Sequence, residues 1–281
     1  MKRVLLLLFI LVASAIALAH EFWFHSQKFF YNIRETANIR FVAGEHFTGE
    51  NWKGNKDKIV QLFHYTPSEN IIDISSRLSA NPGDSLQLPL QEEGTHMIIF
   101  NSTNSFIKQD AEKFNAYLKE DGLDNVYSYR KEHGEEKAAG TEHYQRSIKT
   151  ILQVSGKITN ACTEPTGLPL DIIPSENPYS VPITDVFSKA VKVKFKILFS
   201  GKPLPNALVK IWYHTRNGQT GMDSLYTNKN GMISAERHTG AYMLSCVYME
   251  RNSAGNEADW QSYRGSLSFE YSQFFPGNKS R

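Results

Sequence analysis

The stretch that decides the fold is residues 190–214, AVKVKFKILFSGKPLPNALVKIWYH. Val191, Val193, Phe195 and Ile197 alternate with Lys192, Lys194 and Lys196, the period of a strand with one face in a core and one in water. The turn formers of Ser200-Gly201-Lys202-Pro203-Leu204-Pro205 then reverse the chain. Ala207-Leu208-Val209-Lys210-Ile211-Trp212 is rich in branched and aromatic residues and supplies a second strand. The segments YTNKNGMISAERHTGAYMLSCVYME (226–250) and SLSFEYSQ (266–273) complete a small antiparallel sandwich, placed at 186–281.

The same grammar governs residues 20–106. ETANIRFVAG (35–44) and KIVQLFHY (58–65) alternate apolar and polar positions, and the turn NPGD (81–84) precedes SLQLPL (85–90) and THMIIFN (95–101). Short strands broken by turn residues predict a second β-sandwich. Residues 81–100, NPGDSLQLPLQEEGTHMIIF, and 228–247, NKNGMISAERHTGAYMLSCV, repeat one order of turn, polar strand, glycine and strand. The repeat sets Gly94-Thr95-His96-Met97 against Gly240-Ala241-Tyr242-Met243. Immunoglobulin-like sandwiches often tie a corner with a tyrosine at such a place, so His96 reads first as a structural counterpart of Tyr242.

Between the sandwiches the period changes. FIKQDAEKFNAYLKEDGL (106–123) puts Ala111, Phe114, Tyr117 and Leu118 on one helical stripe, with Gly122 as the stop. A polar helix is expected in LDNVYSYRKEHGEE (123–136), and GTEHYQRSIKTILQVSG (140–156) reads as a short helix passing into a strand. The helical insertion is thus 107–150. A proline-rich connector follows at 151–185, held down by Leu168, Leu170 and Ile172. The fold class predicted is mainly β, with two immunoglobulin-like or transthyretin-like β-sandwiches and a helical insertion between them.

Residues 1–19 read as a cleavable signal peptide. Lys2 and Arg3 precede the run VLLLLFILVASAIALA, which closes on Ala17-Leu18-Ala19. Cleavage there delivers a periplasmic or secreted chain that begins at His20 and has no second apolar run of spanning length. Of the 31 basic and 29 acidic residues, the leader removes two basic ones, so the mature chain is formally neutral. That balance argues against nucleic acid as a partner. Cys162 and Cys246 are the two cysteines, and in an oxidising compartment they are either free thiols or one bridge from the connector to the second sandwich.

The chemistry centres on ALAHEFWFHS, residues 17–26. A cut before His20 gives that residue an α-amine beside its imidazole, and the two nitrogens close a chelate ring through Nδ1. Both lose their protons without an extreme shift, and an all-nitrogen pair suits a divalent transition metal, copper or nickel above all. His46, His64 and His96 are the candidate further ligands. On a strand His20, Phe22 and Phe24 share one face, which sets His25 on the other. The competing reading for each histidine is packing or solvation, since no HxH or HExxH spacing occurs. There is no GxSxG elbow, P-loop or GxGxxG, and the chain reads as a non-enzyme. Trp260, Tyr263, Phe269 and Tyr271 offer a sugar-stacking surface or, equally, strand packing.

Five segments together carry a family resemblance: AHEFWF (19–24), FIKQDAEKFNAYLKEDGLDNV (106–126), GLPLDIIPSENPY (167–179), GKPLPNALVKIW (201–212) and ADWQSYRGSLSFEY (258–271). The chain resembles an exported domain-of-unknown-function family whose members often carry the label of NikM-like periplasmic components of nickel or cobalt uptake. The resemblance spans nearly the whole mature chain. It implies the same β-sandwich fold, metal binding at the residue that maps to His20, and a membrane metal transporter or envelope protein as partner. The absence of integral membrane segments sets the chain apart from nickel-transport subunits proper. The alternative is a cell-envelope protein- or glycan-binding module without metal.

Overall fold

The computed structural model describes residues 21–45, 47–52, 56–79, 81, 85–180, 191–253 and 257–271. The first half contributes strands β1 (Glu21–Ser26), β2 (Phe30–Tyr31), β3 (Thr36–Glu45), β4 (Thr48–Asn51), β5 (Ile59–Tyr65), β6 (Ile71–Asp73), β7 (Leu86–Pro89), β8 (Gly94–Ser102) and β9 (Ser105–Gln109). Helices α1 (Ala111–Glu120) and α2 (Asp124–Glu132) follow, then β10 (Gly140–Val154) and β11 (Leu170–Pro174). The remaining strands are β12 (Lys192–Phe199), β13 (Lys202–Pro203), β14 (Leu208–Thr215), β15 (Thr220–Tyr226), β16 (Met232–Glu236), β17 (Gly240–Arg251) and β18 (Trp260–Tyr271). The fold is mainly β, in several sheets, with two α-helices among the described residues.

A ten-stranded sheet runs through both halves in the order β15-β14-β17-β18-β10-β8-β5-β6, with β2 and β9 also on β10. The halves join where β10 and β18 pair in parallel from Glu142↔Trp260 to Thr150↔Ser268. A parallel pair needs a long crossover, and here the whole second sandwich is threaded between the partners. Residues 140–154 are strand throughout, so the short helix expected at their start is absent. Gln109 to Ser105 of β9 flank Gly140 to Tyr144, and that edge pairing holds the segment extended.

A four-stranded sheet of β1, β3, β4 and β7 covers one face of the central sheet, and another of β11, β12, β13 and β16 packs into the second core. Strand β8 is buried along its whole length. Ile98 and Phe100 enter the first core, while Met97 and Ile99 enter the second. This accounts for the continuous apolar run MIIF, since a strand covered on both faces has no polar side to show. Strand β12 keeps the alternation seen in its sequence, with Val193, Phe195 and Ile197 in the core and its lysines exposed.

Helix α1 buries Phe114, Tyr117 and Leu118 and ends at Gly122, whose φ is +66°. The connector's Leu168, Leu170 and Ile172 are buried, and β11 pairs with β12 from Leu170↔Phe199 to Pro174↔Phe195. The repeat identified in the sequence has a backbone counterpart. Gly94 and Gly240 hold φ of +140° and +125°, a region that side chains avoid. Two residues on, the Tyr242 hydroxyl accepts a hydrogen bond from the His238 amide, and His96 Nε2–H donates to the Glu92 carbonyl at 2.9 Å. Each ring therefore ties to the main chain four residues upstream.

Candidate functional site

Strand β1 opens the described chain and is wedged between the halves. Phe22 and Phe24 enter the first core, whereas Trp23 packs with Val42, Trp212 and Met243. The alternation that sets His20 and His25 on opposite faces is thus obeyed by their neighbours. One edge of β1 pairs with β3, from Glu21↔Gly44 to Ser26↔Ile39. On the other edge Ser266 Oγ donates to the Phe22 carbonyl at 2.7 Å and Ser268 Oγ to the Phe24 carbonyl at 2.8 Å. Two serines of β18 thereby satisfy carbonyls that an edge strand would leave open.

At the start of β1 lies a buried charge cluster. Lys210 Nζ, on β14, meets Asp121 Oδ1 at 2.5 Å, Glu120 Oε1 at 3.7 Å and Glu21 Oε1 at 3.8 Å. Burial disfavours the Lys210 charge, but the surrounding carboxylates outweigh it and raise its pKa. The Glu21 side chain is 12% exposed. Its pKa is raised to about 7, chiefly by burial and then by Asp121. Arg264 donates to Glu142 and, at 3.3 Å, to the Tyr117 hydroxyl. Glu142 is fully buried, and desolvation raises its pKa against the pull of Arg264. Lys210 therefore faces three carboxylates, and a further cation at this end of the molecule is electrostatically favoured.

His20 and His46 lie outside the described residues. Each is one peptide bond from a residue of the hairpin that starts the fold: Glu21 pairs with Gly44, and Glu45 pairs with Thr48. His64 and His96 are brought together elsewhere. His64 Nε2 and His96 Nδ1 are 2.8 Å apart with the rings stacked at 5.0 Å. Because the Glu92 carbonyl can only accept, His96 carries its proton on Nε2, and His64 donates to His96 Nδ1. Burial first, then His96 and Arg77, push the His64 pKa down to about 3, and burial lowers that of His96.

This pair stands near Leu152, which opposes His96, whereas the charge cluster stands near Glu142. Glu21 itself lies beside Gly265 of β18, which pairs with Ser147, so five residues of β10, about 17 Å of extended strand, separate it from the level of Leu152. His64 and His96 are consequently not placed to share one ion with Glu21. Among the described residues no group of three His, Cys, Asp or Glu side chains is arranged to hold a metal. Cys162 and Cys246 are both free and buried. Of the aromatic residues considered for sugar stacking, Trp260, Phe269 and Tyr271 are buried, leaving Tyr263 half-buried.

A cavity of about 430 Å³ opens beside β1, lined by Trp23, Phe29, Phe47, His214, Thr220 and Glu270 among others. The sequence reading missed the charge cluster. Glu21, Asp121, Lys210 and Arg264 belong to four distant segments, and each alone looks like an ordinary surface charge.

A family model described as a domain of unknown function, DUF4198, matches residues 17–250. The chain belongs to this family. No curated protein matches it. Among solved structures, a tetra-tandem repeat from the extending region of a large adhesion protein is 10% identical, with 89% of this chain covered and a TM-score of 0.21. The chain spans about half of that structure's length, 49%. The D0-D1 domain of intimin is 9% identical over 88% of this chain and 97% of its own, with a TM-score of 0.23. Three N-terminal domains of the outer capsid protein Hoc of bacteriophage RB49 are 10% identical over 89% and 59%, with a TM-score of 0.19. Among the described residues of this DUF4198 member, no helix is long and apolar enough to cross a membrane.

Proposed function

We propose that this protein is an exported metal-handling accessory, without a catalysed step, that captures divalent nickel, cobalt or copper as cargo at its processed amino terminus. It delivers the ion to a membrane transporter, in keeping with the nickel and cobalt uptake label of the sequences it resembles. The observation that carries the reading is the register of the first hairpin. With Glu21 opposite Gly44 and Glu45 opposite Thr48, chain connectivity attaches His20 and His46 to residues on neighbouring strands. The α-amine and imidazole of His20 and the imidazole of His46 are nitrogen donors of the kind copper and nickel prefer. The carboxylates around Lys210 add a field that favours a cation over an anion.

The test is calorimetric titration of Cu(II), Ni(II) and Co(II) into the chain processed at His20, alongside a chain with one alanine added before it. Tight binding that is lost on extension, and weakened about tenfold or more by His46→Ala, is the expected result. Equal affinity for both chains, or no binding to either, overturns the proposal.

A further inference from the structure

A second concavity, of about 400 Å³, lies where the helical segment meets the second half. Its walls are the α1–α2 junction at Gly122, Leu123, Asp124 and Asn125, the turn before β14 with Asn206, Tyr226 at the end of β15, and Tyr248 of β17. Tyr226 is 57% exposed, so an aromatic face stands in water at the mouth of the cleft. Among the described residues none hydrogen-bonds the side chains of Asp124, Asn125 or Asn206. Asn206 is also held at a φ of +55°, a left-handed conformation that asparagine tolerates better than most residues.

Beyond the cleft the aromatic surface continues. Tyr248 packs against Phe199 at 4.3 Å, and Phe199 against Tyr263 at 4.8 Å, all three rings half-buried. The Tyr248 hydroxyl donates to Glu250 at 3.4 Å, which fixes its ring.

This chemistry selects one kind of ligand. No lysine, arginine or histidine lines the cleft, so phosphates, sulfates and carboxylates find no counter-charge. A sugar ring fits, since it has an apolar C–H face for an aromatic ring and a rim of hydroxyls for amides and a carboxylate. We propose that this cleft binds a neutral oligosaccharide, one ring stacked on Tyr226 with its hydroxyls held by Asp124, Asn125 and Asn206. The chain runs on over Tyr248 toward Phe199 and Tyr263.

The experiment titrates the processed full chain with chitohexaose, cellohexaose and maltohexaose by calorimetry, with saturation-transfer NMR read on the sugar protons. At least one hexasaccharide binds. Tyr226→Ala weakens it about tenfold, the worth of a lost ring contact, and Tyr226→Phe retains most of the affinity. Asn206→Gly, which suits the backbone φ but removes the amide, weakens it as well. An unchanged melting curve shows that Tyr226→Ala is folded. Its metal titration stays that of the parent chain, so this proposal and the metal reading fail separately. Binding by none of the three sugars, affinity indifferent to Tyr226→Ala, or capture of a proline-rich peptide in the cleft without sugar binding overturns the inference.

Discussion

The two ends of β10 solve the same burial problem in opposite ways. At Glu142 the partners are ions: Arg264, and beyond it Lys210 among Glu21, Glu120 and Asp121. At Gln153 they are neutral. Gln153 Oε1 accepts from Thr95 at 2.8 Å, its amide donates to the carbonyls of Ser155 at 3.0 Å and Lys157 at 2.7 Å, and Asn177 donates to Thr95 Oγ1 at 2.7 Å. His64 and His96 belong to this neutral end, each uncharged, with His64 Nε2 and both nitrogens of His96 engaged in hydrogen bonds. A neutral, hydrogen-bonded network fixes a structure and asks for nothing more. A cluster with four carboxylates against two cations invites a counterion, which is why the metal reading attaches to the Glu142 end of the strand.

The largest effect is expected where an ion loses its partner. Arg264→Met leaves Glu142 buried and uncompensated, and should destabilise the protein by about 3–5 kcal/mol in urea unfolding at neutral pH. A loss below 1 kcal/mol would mean that Glu142 takes up a proton at little cost, erasing the contrast between the ends.

The neutral end is sensitive to acid. His64 binds a proton near pH 6.5 when unfolded but only near 3 when folded. Its contribution is therefore fully present above pH 6.5 and is lost as pH falls from there toward 3, about 2 kcal/mol of it by pH 5. Glu21, raised to about 7, titrates with the opposite sign in both chains, so the comparison is between them: from pH 7.5 to pH 5 in urea unfolding the parent should lose about 2 kcal/mol relative to His64→Gln. An identical pH dependence in both would assign the effect to other groups.

Asn177→Ala removes the amide that joins Thr95, the Thr159 carbonyl and, through Oδ1, the Tyr179 amide, and should cost about 1–3 kcal/mol. The smallest change tests the paired corners. Tyr242→Phe leaves the His238 amide without its acceptor and should cost about 1 kcal/mol, without the acid dependence that the imidazole corner shows. An acid-dependent loss in that variant would break the distinction between the two rings.

Much of this was legible in the chain. Phe114, Tyr117 and Leu118 repeat at helical spacing and line the buried face of α1, and Gly122 ends it. Val193, Phe195 and Ile197 alternate with lysines and face the core. Gly94 and Gly240 mark equivalent corners, and the matching of His96 to Tyr242 holds in geometry, since both rings tie back four residues. Residues 140–154 were harder to read, because Glu142, His143, Gln145 and Arg146 interrupt any two-residue period. Their strand state comes from β9, β8 and β18 alongside, not from their own pattern.

By itself, then, the sequence determined the β class, the places of the two α-helices and the corner repeat, because periodicity and turn chemistry act over a few residues. Only the tertiary structure decided that one sheet crosses both halves, that His64 pairs with His96 far from Glu21, and that Lys210 gathers three carboxylates. Those are contacts between segments up to about two hundred residues apart, and no local pattern encodes which distant charges a closed sheet will bring within reach of each other.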